Sequence, residues 1–387
     1  MSQKPITYDA RHIQVLEGLA AVRKRPGMYI GTTGERGLHQ LVFEAAGRAV
    51  NEVLAGRASR VEITFTSDGG VRVADDGPGV PFEADEASGG TGLEARLTRL
   101  MMSEGPTGLR YPVLSHFAMG LAIVNALSSR LVAEVRRDGV RRVQEYARSV
   151  ALAPPADAGS AAGSGTVVTF WPDAEIFETT ECSFDALAER FRELAFLNRG
   201  LEISLTDDRP AEPRSVRFQS SGGVRDMVAF LDEQAAVLAD QEVIGFARED
   251  TRMAGTMKLA LRWHGFGQGQ VLSFANSRPT PGGGTHVAGF HEGVAVGLSA
   301  YARERKLLLA ADPDFGIDLI GEGLTAVVSV ELEHPVFEGS TRGTLGNAAV
   351  RDCVRQAVQE DLGRWLEEHP QQAAVVIDRI MRVARRN

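Results

Sequence analysis

One long amphipathic helix leads straight into a strand pair that ends in an acidic turn, and this constrains the fold more than anything else in the chain. Leu38, Leu41, Val42, Ala45, Ala49 and Val53 recur at helical spacing and make a single apolar stripe, with Gly56 placed to end the helix. Val61–Thr66 and Val71–Ala74 then alternate with period two around Ser67-Asp68-Gly69-Gly70, as a hairpin does. The second strand runs into Asp75-Asp76-Gly77-Pro78-Gly79, which on its own reads as a turn. A helix with one apolar face beside strands with one apolar face calls for a helix layer on a sheet, an α+β arrangement.

Further elements follow. Helical spacing covers Ile13–Arg23 and Ala118–Ser129, and Leu131–Arg136 with Arg141–Tyr146 form a hairpin around Asp138-Gly139. Pro154–Gly165 is of low complexity and reads as a surface loop or local linker. Strand Thr166–Phe170 and helix Phe184–Leu197 come next. Near Gly222-Gly223 the pattern restarts with helix Val224–Leu238, strands Met257–Trp263 and Val271–Asn276, and a helix from about Phe290. Strand Leu324–Leu332 and a helical stretch Ala348–Arg385, broken at Pro370, complete it. The 387 residues suit two to three domains, and the restart places a cut near 220, giving domains 1–220 and 221–387.

Composition excludes several classes of function. The net charge of −9 argues against a dedicated nucleic-acid binder, which works by neutralising phosphates. No apolar run approaches the ~20 residues of a membrane span, and the first residues lack the apolar core of a secretory signal. Two cysteines, Cys182 and Cys353, are too few for a disulfide scaffold or a zinc cluster, and suit a reducing cytoplasm. Lys4, Lys24, Lys258 and Lys306 are the only lysines, so a phosphate-gripping lysine has few places to sit.

Seven strings, in order and at near-constant spacing, carry a family likeness: Val22–Gly31 (VRKRPGMYIG), Val42–Gly56 (VFEAAGRAVNEVLAG), Asp75–Pro81 (DDGPGVP), Val124–Ser128 (VNALS), Gly165–Pro172 (GTVVTFWP), Phe191–Asn198 (FRELAFLN) and Gly282–Phe290 (GGGTHVAGF). Together they resemble the ATPase half of bacterial type IIA topoisomerases, gyrase B-like in character. The resemblance implies an ATP-binding domain of the gyrase, Hsp90, histidine-kinase and MutL type, followed by an α/β transducer domain. No EGDSA-type string of a metal-binding Toprim domain is present, so this stretch alone is not expected to cut or pass DNA.

The same resemblance assigns roles. Glu44 matches the glutamate that activates the attacking water, Asp75 the aspartate that reads the adenine amino group, and Gly79 the glycine that lets the base approach. Thr166 matches the hydroxyl that helps hold the adenine, and Arg137 the rim arginine, with Arg136 beside it as the other candidate. Tyr8 and Ile13 match an N-terminal arm that wraps a partner protomer, implying a homodimer. These matches leave an adenine-shaped half-pocket. Outside such a motif, a glutamate on a helix is simply a solvated side chain.

Departures gather at the phosphate end. Where the family carries a Mg²⁺-holding asparagine stands Arg48, which has five donors and no lone pair to offer a metal, so no metal is expected. At i, i+4 from Glu44 and from Glu52 it can pair with either carboxylate, or it can grip a phosphate itself. Pro78 replaces a turn arginine that pairs with the glutamate matched by Glu52. The glycine-rich phosphate loop is replaced by Leu114–Gly120, in which Phe117 and Met119 crowd the phosphate space. Met101 and Met102 add to an apolar lining, and His116 offers an acid–base group or a packing residue. Arg342 stands where the transducer's γ-phosphate lysine is expected.

Three functional readings follow: a paralogue that has lost Mg-dependent hydrolysis and takes a different, more apolar small molecule, as binder or as enzyme; a working ATPase of a split topoisomerase; or a regulatory or antibiotic-decoy module that meets gyrase. In the first, Glu44, Arg48 and His116 are the groups available for chemistry and no nucleotide cofactor is needed.

Overall fold

The computed structural model describes residues 18–83, 92–100, 114, 120–236, 242–264, 269–309, 311–339 and 342–384. Tyr8, Ile13, Met101, Met102, His116, Phe117 and Met119 lie outside them. The described residues fall into two compact units: those within 1–103, 115–187 and 204–216, and those within 104–114, 188–203 and 217–387.

The first unit opens with α1 (Leu19–Lys24), α2 (Gly27–Ile30) and α3 (Glu35–Leu54). Strands β1 (Val61–Phe65) and β2 (Val71–Asp75), helices α4 (Leu93–Thr98) and α5 (Leu121–Ala126), and the hairpin β3 (Ser128–Arg137) and β4 (Val140–Ala147) follow. The hairpin turns at Asp138 and Gly139, whose φ of 54° and 76° give the doubly left-handed turn that matches strand twist. Next come β5 (Val150–Ala151), β6 (Ala156–Ser160), β7 (Gly165–Pro172), α6 (Phe184–Leu197), most of which is counted with the second unit, β8 (Ile203–Asp207) and β9 (Arg214–Phe218). The sheet order is β5-β4-β3-β7-β2-β1-β8-β9, with β6 added onto β4. The expected surface loop at Pro154–Gly165 therefore holds a strand. Its residues are exposed and of poor strand propensity, and the pairing comes from the open edge of β4. Among the described residues the expected helix Ala118–Ser129 is shorter, because β3 already begins at Ser128.

Helix α3 lies across β1, β2 and β7. Its stripe of Leu38, Leu41, Val42, Ala45 and Ala49 is buried. Register decides what the helix meets: Asp75 pairs with Val61 and Thr166, and Thr166 with Val135. Cross-strand partners share a face, so Asp75 and Thr166 stand side by side in one row.

The second unit contains α7 (Val224–Gln234), β10 (Ile244–Asp250), β11 (Gly255–Trp263), β12 (Gln270–Ala275), β13 (Arg278–Pro279) and α8 (Thr285–Glu304). It continues with α9 (Ile317–Gly321), β14 (Leu324–Leu332), β15 (Phe337–Glu338), β16 (Thr344–Leu345), α10 (Ala348–Glu368) and α11 (Pro370–Ala384). Its main sheet runs β10-β11-β14-β12-β13, with β12 and β14 parallel and joined through α8. One face packs Leu259, Val328 and Val330 against Phe290, Leu298, Val354 and Ile377. The other packs Ala260, Phe274 and Val327 against Val224, Val228 and Leu197. Coverage of both faces explains why Leu324–Leu332 is apolar almost throughout. Leu197 in this core also explains why Ala188–Ile203 belongs to the second unit, where the sequence suggests one cut near 220.

Candidate functional site

Glu44 and Arg48 are one helical turn apart on α3, and the carboxyl of Asp75 stands at the end of β2. Glu44 is almost wholly buried; its Oε1 accepts from Gln40 Nε2 at 3.0 Å and its Oε2 from the Gly120 backbone N–H at 3.1 Å. The carboxylate is thus held by its own helix and by the residue that begins α5. The motifs do not single out Gln40, although its place four residues before Glu44 is the available signal.

The sequence offers Arg48 two local partners, Glu44 and Glu52. The structure gives it neither. Its Nη2 makes an ion pair with Asp75 Oδ2 and lies 3.4 Å from the Thr166 carbonyl oxygen. The pair is deeply buried, with 8% of the arginine and 1% of the aspartate side chain exposed. Asp75 Oδ1 accepts from the Gly77 N–H at 2.9 Å, so both carboxylate oxygens are engaged. Arg48 thus reaches the aspartate that the resemblance assigns to the adenine amino group. Helix-local spacing cannot show this; the row of Asp75 and Thr166 beneath the helix produces it. Glu52 takes Arg57 instead, through Nε at 2.8 Å and Nη2 at 3.1 Å, in the role expected of Arg48 after the change to Pro78. Pro78 itself is exposed.

The rest of the strand-borne set is ordered. Thr166 is fully buried and its Oγ1 accepts from the Val80 N–H at 3.0 Å. Gly79 has φ +77°, and a Cβ there would stand 2.5 Å from the Arg136 carbonyl oxygen, so glycine is required by backbone approach as well as by conformation. Arg137 continues the face of Val135 and donates through Nη1 to the Gly79 carbonyl at 3.3 Å. Arg136 turns to the opposite face, where it lines a cavity of about 470 Å³ with Arg60, Glu62, Arg72, Ala74 and the Asp75–Asp76 turn. The choice between the two arginines falls to Arg137 for the Asp75 face. Arg342 belongs to the second unit, between β15 and β16, with φ 52°.

Neither Mg²⁺ nor ATP fits this arrangement as it stands. The residue at the position that the resemblance gives to a Mg²⁺ ligand is a cation with no lone pair, and its guanidinium pairs with the carboxylate that the resemblance assigns to the purine. Among the described residues no group of three or more His, Cys, Asp or Glu is placed to hold a metal ion, and no helix is long and apolar enough to cross a membrane.

Comparisons with known proteins agree with this anatomy. Residues 33–176 match the histidine kinase-, DNA gyrase B- and HSP90-like ATPase family, and residues 223–387 match the DNA gyrase B family. The DNA gyrase B protein of Streptomyces coelicolor is 43% identical over 388 residues, covering 96% of this chain and 57% of that protein. A novobiocin-resistant DNA gyrase B of Streptomyces niveus is 41% identical, covering 98% of the chain and 58% of its own length. The chain thus spans a little over half the length of these relatives. Among solved structures, the 43K ATPase domain of Thermus thermophilus gyrase B, in complex with an aminocoumarin, matches with a TM-score of 0.79 and 32% identity, covering 95% of this chain and 94% of that one.

Proposed function

The chain belongs to the DNA gyrase B family, in its ATPase and transducer region, and from that premise we propose that it has lost Mg-dependent ATP hydrolysis and keeps the former nucleotide cleft for a different small molecule. One observation carries the reading: the Arg48 guanidinium rests on Asp75 and Thr166, the two residues that the resemblance assigns to the purine. Hydrolysis needs a metal at the phosphates and a base free to approach a water. Here the metal position is cationic, and Glu44 already accepts from Gln40 and Gly120.

A nucleotide has to displace Arg48 before its amino group reaches Asp75. Breaking a buried ion pair on one side costs about 3–5 kcal/mol, which would remove most of an ordinary nucleotide affinity. The cleft is then closed to its ancestral ligand without any collapse of the sheet that carries it. Cytoplasmic placement and a homodimer through the arm of Tyr8 and Ile13 complete this reading.

The test is phosphate release by the purified chain with ATP and Mg²⁺. The expected rate equals that of buffer, and ATP leaves the melting temperature unchanged. Turnover that requires both Mg²⁺ and Glu44 would restore the reading of a working ATPase.

A further inference from the structure

Arg48 is over nine-tenths buried, yet only one of its three nitrogens is used. Nη2 serves Asp75 and Thr166, whereas Nε and Nη1 are buried and have no hydrogen-bond partner among the described residues. Buried guanidinium donors are nearly always paired, so an orphan pair of them marks the place of an acceptor that the described residues do not supply.

The neighbouring acceptors are already committed. Asp75 accepts from Arg48 and Gly77, Thr166 Oγ1 from Val80, and Glu44 from Gln40 and Gly120. A purine amino group brings donors, and the carboxylate assigned to receive them is spoken for. What this wall offers in their place is N–H.

We infer that recognition in the cleft is inverted in polarity, and that the site takes a small carboxylate whose oxygens accept from Nε and Nη1 of Arg48. The inference rests on the reading of the previous section, that ATP is no longer the ligand, and it names the chemistry of what replaces it. A carboxylate fits better than a polyphosphate. Asp75 already takes the Arg48 guanidinium, and Glu44 adds a second buried carboxyl one helical turn before it, so several further negative charges without a metal would be repelled. A single carboxylate is the smallest charge that still makes charge-assisted hydrogen bonds. Asp75 fixes the guanidinium in advance, so little side-chain freedom is lost when such a ligand arrives.

Acetate and benzoate are suitable probes, with benzamide as the uncharged match to benzoate and adenine as the donor-bearing control. The readouts are the melting temperature and the ¹H–¹⁵N resonance of Arg48 Nε, assigned by its loss in Arg48→Gln. At least one of the two carboxylates should shift that resonance and raise the melting temperature saturably at millimolar concentration. Benzamide should bind at least about fivefold more weakly than benzoate, and adenine should do neither. Arg48→Gln should abolish the response. If that variant fails to fold, Arg48→Gln/Asp75→Asn removes both charges together and should abolish it as well.

A carboxylate response that survives in either variant overturns the inference, as does adenine moving the Arg48 resonance when neither carboxylate does. Silence from both carboxylates in a chain that also fails to turn over ATP overturns the inference alone. Mg-dependent ATP turnover instead overturns the reading beneath it, whatever the carboxylates do.

Discussion

The strand-borne and helix-borne halves of the candidate site have had different fates. On the strands, Asp75, Gly79 and Thr166 are fixed by backbone contacts: a turn N–H on Asp75, a left-handed glycine against Arg136, and a buried hydroxyl under Val80. On α3, Glu44 remains, but the residue one turn later has become an arginine that reaches across to the strands. The strand half is fixed by sheet register, where one altered residue disturbs a whole row. The helix half is a set of side chains on a rigid rod, where one substitution redirects the chemistry and leaves the fold intact. A conventional scaffold can therefore carry an altered set of side chains on one helix.

The sharpest way to break this contrast is to remove the bridge between the halves. Arg48→Ala leaves Asp75 buried without its counter-charge and should cost about 3–5 kcal/mol in urea unfolding. Arg48→Ala/Asp75→Asn, which removes both charges, should cost clearly less than Arg48→Ala and Asp75→Asn summed. Additive losses would mean that the pair is not coupled, and the account of the closed cleft would fail with it.

Acid titration sharpens the comparison by supplying its background. His286 in the second unit is fully buried at the start of α8; its Nε2 lies 3.1 Å from Thr280 Oγ1, and burial lowers its pKa from 6.5 to about 4. Between those values the unfolded chain takes up a proton that the folded chain refuses. Stability from this group is complete above about pH 6.5 and falls as the pH drops toward 4, by about 1.4 kcal/mol per pH unit and roughly 3 kcal/mol in all. His286→Asn should flatten that limb of the pH–stability curve. An unchanged slope would mean that His286 does not carry the acid loss over that range.

The smallest expected effect tests the strand half by itself. Gly79→Ala sets a Cβ against the Arg136 carbonyl oxygen at φ +77° and should cost about 1–3 kcal/mol. A neutral outcome would mean that this turn is free to move, and that the strand half is less fixed than the register implies.

Much of this anatomy is legible in the sequence, and the exceptions share a cause. Helix Phe184–Leu197, the turn at Asp138-Gly139 and the break at Pro370 follow from local pattern, and the structure has them where the residues indicate. The strand Ala156–Ser160 is not legible, because small polar residues become a strand there only by adding to β4. The partner of Arg48 is not legible for the same reason. The i, i+4 rule proposes Glu44 or Glu52 from helix geometry alone, whereas the stronger partner lies 27 residues away on a strand. Once Arg48 goes to Asp75, Glu52 is left to Arg57, so one missed long-range pair misplaces two short-range ones.

The most direct measurement is a crystal structure of the chain grown with a non-hydrolysable ATP analogue and Mg²⁺ in excess. The account predicts that the Arg48 guanidinium still lies on Asp75, with no purine between Asp75 and Thr166 and no metal beside Glu44. A purine amino group bonded to Asp75, with Arg48 swung away to the phosphates, would contradict it.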